Sequence, residues 1–162
     1  MEDSKGRRFV GWALRAFTLA TFAVWFGGLT FYMAWVVPIG TDELGSAFAQ
    51  GMITRRVTSH INVLAAVALL VMLGDALVNR EPVRWRKRTK LISILLMMLM
   101  GGGLFWMHPQ IDALIDLNER SITDYDLFYF RHRVYLWITT IQWIAAWFWL
   151  GAMAAPSRKP GV

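Results

Sequence analysis

Apolar positions gather in four long runs, about Ala16–Val37, Val57–Val78, Leu91–Met107 and Val134–Ala155, with charged and turn-forming residues between them. A helix needs roughly 20 mostly apolar residues to cross the hydrocarbon core of a bilayer. Each run therefore reads as a membrane span, the third being the shortest, with an apolar face expected to extend past Pro109. Helix is required because lipid offers no partner to a free backbone N–H or C=O. The period-two alternation of a β-barrel strand is absent. The expected fold is all-α: an integral membrane four-helix bundle, one four-span transmembrane domain over residues 1–162.

The segments between the runs are also patterned. Leu44, Phe48 and Met52 fall four apart between Pro38 and Arg56, a spacing that lines one helical face. Between Pro109 and Arg133, Ile111, Leu114, Ile115 and Asn118 share a face opposite Asp112 and Asp116. A short amphipathic helix is expected in each of these two outer loops, either lying in the membrane surface or covering the bundle. The acidic Thr123–Asp126 stretch reads as solvated.

Composition agrees: 56% of the 162 residues are hydrophobic and 17% charged, against about a quarter charged in soluble domains. The net charge of +6 raises nucleic acid as a partner. The positions reject it, because Lys and Arg crowd the ends of apolar runs, where bilayer topology needs them. Lys5, Arg7, Arg8, Arg15, Arg80, Arg84, Arg86, Lys87, Arg88, Lys90, Arg158 and Lys159 fall on one side, twelve of the seventeen basic residues. Arg55, Arg56, Arg120, Arg131 and Arg133 fall on the other, among seven acids. The positive-inside rule then puts both termini in the cytoplasm, in a cell (inner) membrane. Arg7–Arg8 before an apolar run resembles an export signal, but the run is long, ends in "FYMAWVVPIG" and contains no A-x-A site, so an uncleaved first span is expected. Zero cysteines exclude disulfides, thiolate metal sites and cysteine nucleophiles.

Polar residues at membrane depth are costly and mark packing or function. His132, Tyr135, Thr139 and Gln142 share one face of the fourth run. Tyr135, Thr139 and Gln142 form the expected interior stripe, for interhelical hydrogen bonds or a solute path. His60, His108 and His132 fall at one membrane level in the predicted topology. They are the candidate metal ligands, since zinc sites use three histidines and an open position. Met33 and Met107, near the same level, would soften such a site toward copper(I). Haem held by two of the histidines is a further alternative. None of them shows H-x-x-x-H spacing, so the sequence names no cofactor. Gly27–Gly28, Gly101–Gly103 and the Ala16, Ala20, Ala23, Gly27 series read as close helix packing, within the chain or between copies. Met97, Met98 and Met100 read as apolar filler, and Asp75 as an ion-pair partner for Arg15 or Arg80.

The stretch "VWFGGLTFYMAWVVPIG", with Trp25, Gly27, Gly28, Phe31 and Pro38, resembles the first span of the transmembrane-protein-205-like family. "FAQGMITRRVTSHINVLAAVALL", Phe48 to Leu70, and "MHPQIDALID", Met107 to Asp116, extend the likeness. It implies a small four-span domain without a settled molecular function. The family's last span often opens with His, Ser and Asn; only His132 is kept here. The copper-resistance D-like, haem-associated four-span proteins share the Trp–Gly–Gly theme. Their early first-span His is absent. No nucleophile–base pair, carboxylate pair at depth or phosphate loop is visible. The expected function is therefore non-enzymatic: an interaction or small-solute-handling bundle whose partners are the lipid bilayer, further copies of the chain or other membrane proteins.

Overall fold

A computed structural model describes residues 2–79 and 81–155, apart from the side chains of 2–5, 7, 8 and 47. Of the basic residues counted above, Arg80, Arg158 and Lys159 lie outside the described residues, as do the side chains of Lys5, Arg7 and Arg8. The first rod is built from α1 (Glu2–Phe31), a π-helical turn (Tyr32–Val36) and α2 (Val37–Leu44). The other three are α3 (Ala47–Val78), α4 (Arg84–Asp112) and α5 (Tyr125–Ala154). Each rod carries a stretch long and apolar enough to cross a membrane. At 1.5 Å per residue, 30 residues reach about 45 Å, the full bilayer with its headgroups.

Pro38 has no N–H to donate and would collide with a carbonyl of the preceding turn. The widened π turn just before it carries the first rod onward without a break, an adjustment available to proline in membrane helices. The rod ends where Gly45 turns left-handed (φ 57°), a conformation glycine adopts at little steric cost. Ser46 then caps α3, accepting a hydrogen bond from the Ala49 N–H at 3.3 Å.

The expected loop helices are not what this chain builds. Leu44 ends the first rod while Phe48 and Met52 already belong to α3, so a two-residue break replaces the surface helix. In the second segment Ile111 lies in the last turn of α4, and β1 (Ile115–Asp116) pairs antiparallel with β2 (Ser121–Ile122). Asp116 is the reason: its Oδ1 accepts from the backbone N–H groups of Asn118 and Glu119 at 2.8 and 3.1 Å. That local bond competes with helix and closes a turn instead. Arg120 completes the turn at φ 49°, and Asp124 caps α5 through Leu127 N–H at 3.0 Å.

The rods pack in the order α1, α3, α4, α5, with α4 and α5 the most intimate pair. Small residues make that closeness available. A Cβ on Gly101 would stand 3.3 Å from Gln142 Nε2, one on Gly103 3.6 Å from Ile138, and Ala145 and Ala146 are fully covered. α1 reaches α5 through aromatic side chains. Phe22 lies 4.7 Å from Trp149 between ring centroids, Phe26 touches Trp143 and Trp147, and Trp143 donates to Thr30 Oγ1 at 3.0 Å. Trp25, Trp149, Met72, Ile94 and Met97 centre the core.

The outer surfaces are apolar, which suits lipid and not water. Trp12 and Trp85 are exposed near one end, and Trp35 and Trp106 near the other. Trp85 and Trp106 stand 21 residues apart on α4, about 32 Å at the helical rise and close to the hydrocarbon thickness. Interfacial Trp belts have this spacing. Ala16, Ala20, Ala23 and Gly27 are all exposed, and a Cβ on Gly27 or Gly28 would meet nothing within 4 Å. Among the described residues that series makes no tight contact.

Candidate functional site

Polar groups collect at the two ends of the bundle. At the Asp112 end, three helices contribute. Arg55 on α3 places Nε 2.9 Å from Asp112 Oδ1 on α4, and His108, one turn earlier, stands 3.7 Å from the same oxygen. Deeper, Asn62 on α3 donates from Nδ2 to the Tyr135 hydroxyl on α5 at 2.9 Å, both side chains buried. The His108 ring faces Tyr135 at 6.2 Å and so lies between the two pairs. Thr139 turns its hydroxyl back to Tyr135 O at 2.9 Å. Gln142, another turn in, donates to Met97 O at 3.1 Å beside Gly101. Tyr135, Thr139 and Gln142 are thus all buried on one face of α5.

Asn62 and Gln142 also line a cleft between α3 and α4 of about 210 Å³, otherwise walled by Leu69, Met98, Gly101, Gly102 and Phe105. Each amide has given an N–H to a protein acceptor, and its oxygen takes no donor among the described residues. The cleft is thus an apolar one with two amide side chains in its lining. A second polar pair joins the first rod to α3. Tyr32 donates to Thr54 Oγ1 at 3.0 Å, and Gln50, buried against Gly40, also reaches Thr54.

The three histidines are held differently. His60 is exposed on α3, its Nδ1 2.8 Å from Arg56 O. His132 stacks on Phe128, ring planes 4° apart, and His108 alone joins the Asp112 cluster. Met33 is exposed while Met107 packs with Leu104, Ile111 and Tyr135. Among the described residues no group of three His, Asp or Glu side chains is arranged to hold a metal ion.

At the Glu81 end the polar groups are charged and buried. Lys90 Nζ lies 2.8 Å and the Arg86 guanidinium 3.5 Å from Glu81 Oε2, with all three side chains under 10% exposed. Burial alone would raise the Glu81 carboxyl. The hydrogen bond from Lys90 and the Lys90 and Arg86 charges outweigh it and hold the carboxyl below its ordinary range. Arg86 also donates to Ala152 O at 3.0 Å and Met153 O at 3.4 Å. Its charge therefore sits on the negative end of α5. Asp75 accepts from Asn79 Nδ2 at 2.7 Å, and that amide also reaches Gly11 O at 3.0 Å. Arg15 turns instead to Met153 Sδ at 3.8 Å.

Residues 20–119 match a family described as a domain of unknown function, DUF4149, and make up more than half of the chain. The chain belongs to this family. No curated protein and no solved structure matches it. The DUF4149 segment runs from α1 into the turn between β1 and β2, so it contains Arg55, Asn62, His108 and Asp112. It leaves out α5, and with it Tyr135, Thr139 and Gln142. A DUF4149 protein of four apolar rods is a multi-pass membrane protein.

Proposed function

We propose that this single four-span domain is a non-enzymatic protein of a cell (inner) membrane, termini cytoplasmic, that handles a small amphipathic solute at its outer end. The observation that carries the reading is the cleft between α3 and α4. Asn62 and Gln142, whose amide oxygens take no donor among the described residues, stand in its lining beside the polar layer of Arg55, Asp112, His108 and Tyr135. A solute with an apolar body and a donating head matches those walls, because a hydroxyl left in lipid without a partner is costly. The orientation rests on the basic Arg84–Lys90 segment at the opposite end. The likeness to transmembrane-protein-205-like proteins is compatible with this reading and lends it no activity. The histidines supply no gathered ligand set on which to rest a metal or haem.

The test uses 4-hexylphenol and hexylbenzene, which differ by one hydroxyl, with thermal unfolding of the detergent-purified protein as readout. The phenol should raise the melting temperature more than hexylbenzene does. The Gly102→Leu variant, which fills the cleft without meeting any atom at its Cβ, should erase the difference. Equal shifts, or a difference that survives Gly102→Leu, would overturn the reading. Orientation has its own check: in this cysteine-free chain, Asp42→Cys should react with an impermeant maleimide on intact cells and Arg84→Cys should not.

The interaction half of the reading is favoured by the outward Ala16, Ala20, Ala23, Gly27 series, since small residues let membrane helices of two copies approach. Ala20→Leu should then lower self-association in a crosslinking assay, and an unchanged dimer fraction would remove it.

A further inference from the structure

A second groove runs between α4 and α5 at the Glu81 end. It measures about 520 Å³ and is lined by Trp85 and Thr89 on α4, and by Ile144, Trp147, Phe148 and Gly151 on α5. That volume lies within the ordinary range of ligand sites. Its walls are almost wholly apolar, and Trp85 stands at its mouth, where one Trp belt of the bundle lies. From there the groove passes toward the hydrocarbon interior.

The mouth is strongly cationic. Arg84 and Arg88 flank Trp85, are one turn apart on α4 and are exposed. Glu81, the nearest acid in sequence, is already committed to Lys90 and Arg86. Among the described residues no carboxylate pairs with Arg84 or Arg88. The N-cap residue of α4, Val83, offers no side-chain cap, and its own N–H meets the Glu81 carboxylate. An apolar slot beneath a pair of exposed arginines is complementary to one kind of molecule abundant around it. We propose that this groove binds an anionic phospholipid, with an acyl chain along Trp85, Phe148 and Gly151 and the phosphate between Arg84 and Arg88. Basic pockets between membrane helices select anionic headgroups on the same physical grounds. The site is separate from the α3–α4 cleft and does not depend on what that cleft takes.

Titration of the full-length protein in neutral detergent with phosphatidylglycerol, phosphatidylcholine of identical chains, or inorganic phosphate tests this, read by thermal unfolding and by native mass spectrometry. Phosphatidylglycerol should bind about tenfold or more tightly than phosphatidylcholine, as expected for two well-placed cations. The double variant Arg84→Gln/Arg88→Gln should bring it down to the phosphatidylcholine level. Lys87→Gln should not, since Lys87 is about 200° around the helix from Trp85. Gly151→Leu, which has open space at its Cβ, should weaken binding of phosphatidylglycerol by blocking the chain. The proposal fails if the two lipids bind equally, if the double variant keeps the preference, or if Lys87→Gln abolishes it equally. It also fails if Gly151→Leu leaves binding intact, or if inorganic phosphate alone reproduces the shift.

Discussion

The antiparallel pair α4 and α5 uses one device twice, and its two ends differ in what surrounds it. At the Glu81 end Arg86, in the first turn of α4, donates to the last carbonyls of α5. At the Asp112 end Arg131, early in α5, donates to Gln110 O near the close of α4 at 2.9 Å. Both place a cation on the negative end of the neighbouring helix. Arg86 is buried with Glu81 and Lys90, whereas Arg131 is half-exposed. The same bond should therefore be a fixed joint at one end and a minor latch at the other. The end with the softer joint also holds the α3–α4 cleft and the hairpin.

Arg86→Met should break the comparison most. It leaves the Glu81 carboxylate with one cation fewer and strips the α5 carbonyls of a donor, and breaking a buried ion pair typically costs about 3–5 kcal/mol. A loss of that order should appear in chemical denaturation of the detergent-solubilised protein, and a loss below about 1 kcal/mol would contradict a fixed joint. Acid should reach the same joint. Because the Glu81 carboxyl is held below its ordinary value of 4.5, its contribution is complete above that pH. It is lost as pH falls through the lower folded value. Unfolding midpoints should thus be insensitive to Glu81→Gln at acid pH well below 4.5, and sensitive at neutral pH.

Tyr135→Phe comes next. It removes the acceptor of the buried Asn62 amide, and interhelical hydrogen bonds in membranes average about 0.6 kcal/mol with a maximum near 1.7. The low exposure of Asn62, 5%, argues for the upper part of that range, about 1 kcal/mol. Asn62→Leu combined with Tyr135→Phe should cost less than the sum of the single changes, because the pair shares one bond. Additive costs would show that the two side chains act independently.

How these sites could be read from the chain follows from what each depends on. The four rods were visible because a span needs only length and apolarity. The buried face of α5 was visible because Tyr135, Thr139 and Gln142 keep helical spacing. Asn62 carries a signal of its own, a lone amide within the apolar "INVLAAVALL". Arg86 and Lys90 looked like any basic connector; the sole acid among them, Glu81, was the clue that some of that charge folds inward. The histidines share a level in sequence, but sequence places a residue along a rod without saying which way it faces. His60 turns outward two residues from the inward Asn62. The loop helices failed on local chemistry that outweighed periodicity, the left-handed Gly45 and the Asp116 turn.

Arg131→Gln should have the smallest effect and sharpens the comparison most finely. A half-exposed guanidinium on a helix terminus is worth about 0.3–1 kcal/mol, so global stability should barely move. Local opening is the better readout. Without Arg131 the last turn of α4 loses its tie to α5, and the neighbouring hairpin loses a fixed base. Amide hydrogen exchange should then quicken at Gln110–Leu114 and Ser121–Thr123, while the amides of Ala145–Trp149 keep their protection. Equal acceleration along the whole of α5 would mean that Arg131 supports the bundle as Arg86 does, and the two ends would no longer differ.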